Sequence, residues 1–290
     1  MLTILFDGVA YGMLLFILAV GLAVTMGLMN FINLAHGAFA MVGGYATVVL
    51  MQRHQVPFLW CLPIAFGLSA LIGAVLERSL YRPMYKRPHL DQVLFTIGLT
   101  FMAVAAMDYA MGSSQQIVQL PEWLKGRTEL GDGAWMLGMG HYRLFIIAVC
   151  AALTLGLQFV LAKTRFGSRL RAAVDDQRVA AGLGINVNLV FLSTFAVGSG
   201  LAGLGGALGA EVLGLDPTFP LKFMVYFLIV VAVGGTSSIT GPLLAALLLG
   251  IADVAGKYYI PKLGAFIVYS LMIVILIWRP QGLFVRKGGK

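Results

Sequence analysis

The stretch "MNFINLAHGAFAMVGGY" (residues 29–45) decides how this chain is read. It sits in a run of 45 residues between Asp7 and Arg53 that holds no Asp, Glu, Lys or Arg. Within that run stand Asn30, Asn33 and His36, followed by Gly37, Ala38, Ala40, Gly43 and Gly44. A helix facing only lipid needs no amides and has no reason to shed bulk. Irregular backbone survives at membrane depth only where protein buries it or a wet cavity borders it. Small residues let neighbouring backbones approach closely. Two compatible readings follow. The polar trio bonds across a tight helix contact, or it marks an unwound helix end lining a translocation path.

Outward from this stretch, the composition describes a lipid setting. Of 290 residues, 60% are hydrophobic and 11% charged, and the mean hydropathy is +0.92. A soluble domain carries about 25% charged residues. The apolar runs are long and continuous, which specifies helices rather than the roughly ten-residue alternating strands of a membrane barrel. The first run starts almost at Met1 without a basic lead, so it reads as a retained first helix rather than a cleaved signal. The net charge of +8 reads as basic cytoplasmic loops, not as nucleic-acid binding. Cys61 and Cys150 lie inside apolar runs and read as core or lipid-facing thiols, not as a disulfide or metal pair.

A crossing takes about 20 residues, so the 45-residue run accommodates two. Further apolar segments fill Arg53 to Glu77, 92–112, 144–162, 187–210, Lys222 to Asp253 and 263–278. The expected fold is an all-α polytopic membrane protein with eight or nine crossings, in a single transmembrane domain over residues 1–290. Segments 77–91, 163–186 and the tail after Trp278 hold four, five and four of the twenty Lys and Arg residues. Basic loops stay in the cytoplasm. That puts these segments and the C-terminus inside, and loop 112–142 outside as a cap or interfacial hairpin. The N-terminus is outside if the first run crosses twice, and inside if it crosses once with a re-entrant part.

A second break is "VVAVGGTSSITGPLL" (230–244), which divides the run from Lys222 to Asp253 into pieces of about eleven and ten residues. Each is too short to span alone. Gly234, Gly235, Gly241 and Pro242 interrupt a helix, and Thr236, Ser237, Ser238 and Thr240 can satisfy the freed backbone groups. Paired interruptions in the two halves of a chain point to a transporter's midplane site. The candidate path residues are therefore Asn30, Asn33, His36, Gly37, Gly234, Gly235, Thr236, Ser237, Ser238 and Thr240.

The inner segment 163–186 reads as a short amphipathic helix. Leu170, Ala173, Val174, Val179, Ala180, Ala181 and Leu183 are its apolar members, and Gly182 and Gly184 end it. It is either an ordinary basic loop or a docking helix for a cytoplasmic partner. A helical pattern punctuated by glycine favours docking. On the following helix, Gly198, Ala202, Gly206 and Ala210 recur every four residues, beside the pair Gly205 and Gly209. This is a close-contact seam, within the chain or between subunits.

Several functions lack their residues. There is no G-x-x-x-x-G-K-[ST] phosphate loop. Asp108 and Asp253 lie only near span ends, so no buried relay marks a proton-coupled carrier. No nucleophile triad, carboxylate pair or His/Cys cluster suggests an enzyme, a metal or a bound cofactor.

"GLMNFINLAHGAFAMVGGY" (27–45), "TIGLTF" (96–101), "FGSRLRAAVDDQRVAAGLGINV" (166–187) and "VGGTSSITGP" (233–242) occur in this order. Together they resemble the membrane-spanning permease subunits of bacterial branched-chain amino acid ABC transporters, of the H type, over nearly the whole chain. The resemblance implies an inner-membrane permease that is not itself an enzyme. It implies a paralogous permease or a second copy as partner, two cytoplasmic ATPase subunits that use the ATP, and an extracytoplasmic substrate-binding protein. It likens segment 163–186 to a coupling helix, carried onto Arg171, Ala173, Asp175, Gly182, Gly184 and Asn186. Permeases for urea or short amides share these motifs and remain an alternative cargo class. A self-contained channel or secondary carrier is a more distant alternative. Whether the path lies within this chain or between two subunits stays open at this level.

Overall fold

The computed structural model describes residues 1–130, 137–235, 238–279 and 282–283. Among these, six helices are long and apolar enough to cross a membrane. They are α1 (Leu2–Met29), α3 (Phe58–Leu76, running on through turns to Lys86), α4 (His89–Met111), α5 (His141–Lys163), α8 (Val187–Leu213) and α10 (Thr240–Tyr259). Two shorter apolar helices are α9 (Phe219–Gly234) and α11 (Gly264–Trp278). The 19-residue α2 (His36–His54) is largely buried. Two short helices, α6 (Arg165–Asp175) and α7 (Gln177–Gly182), complete the set. The architecture is an all-α polytopic membrane protein.

Helix α1 is the axis of the bundle, with Leu14 to Leu18 wholly enclosed. Its glycines set the helix spacing. A Cβ on Gly12 would sit 2.7 Å from the Ala246 carbonyl of α10, and one on Gly21 would sit 2.5 Å from the Gly198 carbonyl of α8. The small residues of α8 continue this pattern. Gly198 abuts Gly21 of α1, Gly203 abuts Ser69 of α3, and Gly206 abuts the Ala40 carbonyl of α2. The seam therefore joins helices within this chain. Lipid supplies no hydrophobic drive between helices, so such close contact is what holds them together.

The two ends of the bundle differ. At one end the strands β1 (Arg127–Leu130) and β2 (Leu137–Gly140) form an antiparallel hairpin, the form anticipated for loop 112–142. It is tied to the start of α1: Gly138 N–H donates to Thr3 Oγ1 at 3.0 Å, and Arg143 pairs with Asp7. At the other, basic end lie α6, α7 and the turns after α3, where Tyr85 meets Phe191 at the start of α8.

Two expectations are corrected here. Of the two pieces of the run from Lys222 to Asp253, the second is long enough to span, whereas the first, the 16-residue α9, stays short. Helix α9 starts before Lys222 and α10 continues past Asp253, so α10 reaches 20 residues. Both charges are neutralised locally, Lys222 by Asp216 and Asp253 by Lys257, so neither ends its helix. The inner segment is two helices, not one. Asp176 adopts an extended conformation (φ −152°, ψ 108°) between them, and its side chain caps α7 by accepting from Arg178 N at 2.8 Å and Val179 N at 3.0 Å.

Gly206 and Gly98 give a direct contrast. A side chain on Gly206 collides with α2 backbone, whereas Gly98 has open space around it. Overpacking costs about 1–3 kcal/mol or more. Gly206→Leu should lower the melting temperature of the detergent-purified protein by several degrees, and Gly98→Ala should leave it unchanged. Equal melting of the two variants would show that the seam is not close packed.

Candidate functional site

The first break is real backbone, not only polar decoration. Helix α1 ends at Asn30, whose φ of 49° and ψ of 38° are left-handed. Residues 30–35 then run back alongside α1, with Phe31 N–H bonded to the Thr25 carbonyl at 3.2 Å. Helix α2 restarts at His36, whose ring Nε2–H donates to the Leu18 carbonyl at 3.0 Å. Leu18 lies eleven residues before the end of α1. At 1.5 Å per residue, α2 starts roughly 16 Å short of the end of α1. Asn30, Asn33 and His36 therefore do not share one helix. Asn30 is an exposed cap, Asn33 lies in the extended segment and His36 opens α2, the last two being buried.

The freed backbone groups are satisfied by α4. Ile32 N–H donates to Gln92 Oε1 and Leu34 N–H to Thr96 Oγ1, each at 3.2 Å. Gln92 in turn donates to the Arg87 carbonyl at 3.0 Å, which fixes its amide. Helix α4 is inside out for this purpose. Its buried face carries Gln92, Thr96 and Thr100, four residues apart, while Leu94, Phe101 and Met102 are exposed. Burying a polar group without a partner costs several kcal/mol in hydrocarbon, so the break and the polar stripe require each other.

A third element closes over Asn33. Residues Glu77–Tyr81 form a π-helical turn at the end of α3. Such turns are rare and recur at functional sites. The turn points Tyr81 inward, where its hydroxyl donates to Asn33 Oδ1 at 3.2 Å. Phe31, Phe95 and Phe195 surround the Tyr81 ring, with centroids 5.5, 5.5 and 4.7 Å away. Glu77 is fully enclosed and receives Arg82 Nη2 and the Tyr85 hydroxyl, both at 3.2 Å. Asn33 Nδ2 is buried with no partner among the described residues.

The second break lies elsewhere along α1. Gly234 ends α9 against Pro242, and Gly235 follows with φ 81°. Leu283 N–H donates to the Val233 carbonyl at 2.8 Å, satisfying one of the last carbonyls of α9. Ser238 Oγ accepts from Gly241 N at 3.3 Å and lies 3.2 Å from Thr240 Oγ1. Thr236 and Ser237 lie outside the described residues. Ser238 and Thr240 border a cavity of about 420 Å³ that Ala23 and Val24 of α1 and Leu170 and Arg171 of α6 complete. Among the described residues, no hydrogen bond or ring contact joins the two breaks. His36 and Gly37 instead meet the middle and start of α9, at Phe227 (ring centroids 6.4 Å) and Pro220 (3.0 Å from a Cβ built on Gly37).

The coupling candidates fall into different environments. Ala173 is enclosed and anchors α6 to the bundle, and Arg171 Nη1 donates to the Leu161 carbonyl at 2.5 Å. Asn186 caps α8 by accepting from Leu189 N at 3.0 Å. Asp175, Gly182 and Gly184 are exposed, as are the apolar side chains of Val179 and Leu183. Gly184 has φ 81°, which ends α7 at little cost.

Glu77, Tyr81, Tyr85, Gln92 and Thr96 were not singled out as site residues from the sequence. Gln92, Thr96 and Thr100 at four-residue spacing in an otherwise apolar helix were the available signal. The π-turn left none.

Residues 4–276 match the family described as "Branched-chain amino acid transport system / permease component". The chain is 26% identical to the high-affinity branched-chain amino acid transport system permease protein BraD of Pseudomonas aeruginosa, covering 97% of this chain and 95% of that protein. It is 26% identical to LivH of Escherichia coli, covering 97% of this chain and 94% of that protein. It is also 26% identical to LivM of Escherichia coli, over 93% of this chain and 68% of that protein. No solved structure matches it significantly.

The clamp makes a graded prediction. Thr96→Val strands the Leu34 N–H, whereas Thr100→Val removes only a bond to its own helix at the Thr96 carbonyl. An unsatisfied buried donor costs about 1–3 kcal/mol. Thr96→Val should lose several degrees of melting temperature and Thr100→Val less than half as much. Equal losses would mean that α4 does not hold the break.

Proposed function

The chain belongs to the family of branched-chain amino acid transport permease components, and from that premise we propose how its parts divide the work. It is a multi-pass inner-membrane permease and not itself an enzyme. Branched-chain amino acids are its cargo class. The relatives described above are all permeases of such systems, which does not favour urea or short amides.

It pairs with a second, paralogous permease. Similarity to both LivH and LivM, two permeases of one organism, supports that pairing. Two cytoplasmic ATPases bind and hydrolyse ATP, and an extracytoplasmic binding protein delivers the cargo. The basic end and the C-terminus face the cytoplasm, in keeping with the clustering of Lys and Arg there.

The carrying observation is the pair α6–α7. One side is fastened to the bundle through Leu170, Ala173 and Ala180, while Val179 and Leu183 stand open on the other. That is the shape of a lever: an inner anchor and an outer docking face. ATPase closure pushes α7, α6 moves with it, and the packing of α6 on α8 and α1 passes the displacement on, while the cavity bordered by Ala23, Val24, Ser238 and Thr240 gives the second break room to move. Helix α1 carries the motion to the first break, where the Tyr81–Asn33 contact opens and the path between α4 and α9 widens. The path groups are amides, hydroxyls and one imidazole, which bind weakly and so release cargo.

Gly182 tests this assignment cleanly. A Cβ built there meets nothing of this chain within 4 Å. Gly182→Trp should therefore fold and insert normally yet reduce ATP-driven leucine uptake at least tenfold and weaken co-purification of the ATPases. Normal uptake and normal co-purification would remove α7 from the coupling role.

A further inference from the structure

At the hairpin end, a second opening lies between α4 and α9. Its volume is about 410 Å³, and Asp108, Ser113, Gln115, Asp216, Thr218 and Lys222 border it. Ligand clefts commonly hold about 300–1,000 Å³. The opening is held in shape by backbone. Gln116 N–H donates to the Leu215 carbonyl at 2.7 Å, joining the segment after α4 to the segment before α9. Gly214, at φ 71°, lies directly against Gln115.

The charges here have both signs. Partial burial opposes the charge on Asp216, but hydrogen bonds from Lys222 and Thr218 outweigh it and hold the carboxyl below its usual range. Lys222 is thereby positioned while its side chain stays 57% exposed. An ammonium has three donors, and Asp216 accepts one of them. Asp108 is an exposed carboxylate with no ion pair among the described residues.

Below this mouth the two walls differ in character. On α9, Phe219, Phe223 and Phe227 form a column, with successive ring centroids 4.6 and 6.4 Å apart. On α4, Val104, Thr100 and Thr96 precede Asp108 at four-residue spacing, with Val104 bordering the opening and the two threonines buried beyond it. The column ends at His36 and the stripe at the first break, as described above. Opposite charges beside the apolar Val104 and Pro217 match a zwitterionic head carrying a hydrocarbon side chain.

We propose that this mouth is the entry site for an amino-acid zwitterion, with Lys222 receiving the carboxylate, Asp108 the ammonium, and the apolar lining of Val104 and Pro217 the side chain. The assignment rests on the importer reading and adds to it a cargo-binding step in this chain, distinct from capture by the binding protein. Asp216 is a positioning residue that aims Lys222.

The test uses the complete transporter in proteoliposomes, with both permeases, both ATPases and the binding protein, measuring labelled leucine uptake and ATPase activity together. With saturating leucine-loaded binding protein, Lys222→Met and Asp108→Asn should each lower uptake roughly tenfold, the size of a lost hydrogen bond to a charged group. Stimulation of the ATPase by the binding protein should stay within about twofold of the parent. Lys222→Arg should keep most uptake. The exchange Asp216→Lys with Lys222→Asp should not restore it, because a zwitterion reads which position carries which charge. Asp108→Asn stands outside the Asp216–Lys222 pair, so it decides the matter if Lys222→Met fails to assemble. Undiminished uptake in Asp108→Asn, or rescue by the exchange, would overturn the proposal. Parallel loss of ATPase stimulation would make the mouth a docking surface for the binding protein and overturn it too. Failure of the unmodified transporter to import leucine would instead defeat the importer reading itself.

Discussion

The N–H groups of Ile32 and Leu34 have no helical partner in a bundle that offers no water, and the rest of the structure follows from meeting that demand. Gln92 and Thr96 meet it from α4. To do so, α4 turns its polar face inward and its apolar face outward, the reverse of a soluble helix. Without the break, that polar stripe would be a liability in lipid. Without the stripe, α1 and α2 would have no reason to stay separate helices. Each irregularity is stabilised by the other, which makes the pair a unit that can be opened as well as closed.

The second consequence concerns leverage. Helix α1 borders both breaks and touches α8 and α10 through glycine contacts with no side chain between them. Contacts of that kind resist shear because interiors are close packed. Helix α6 packs against α8 and α1, beside the cavity that Ala23, Val24, Leu170 and Arg171 border, so the proposed lever has a packed route to α1. The pair of enclosed Glu77 with half-buried Arg82 and the Tyr81–Asn33 bond sit where α3, α4 and the first break converge. The latter bond links α3 to the first break, beside the bonds by which Gln92 and Thr96 of α4 hold it.

How much of this was legible without coordinates depended on whether the signal was local. Charge-free runs of about 20 residues report spans directly, and the helical ends at Asn30, Gly182 and Gly234 are chain properties of Asn and Gly. The seam on α8 showed in the four-residue spacing of Gly198, Ala202, Gly206 and Ala210, though only the fold assigned its partners. The length of α10 was misjudged because Asp253 was taken as a boundary, when Lys257 one turn away lets it remain inside. The division between α6 and α7 was missed because two adjacent aspartates look alike in a row of letters, and only Asp176 turns back to cap. The clamp of Tyr81 on Asn33 spans 48 positions. No local pattern reports a contact of that range.

The central claim is that the seam between α4 and the first break is closed at rest and opens during transport. Thr100 is the residue to watch, since it is buried on that seam and makes only a bond within its own helix. In a background with Cys61 and Cys150 replaced, Thr100→Cys should resist a water-soluble thiol reagent in the resting transporter. It should become reactive when ATP and leucine-loaded binding protein drive cycling. A cysteine equally protected at rest and during turnover would show that the seam is structural filling, and would contradict the account.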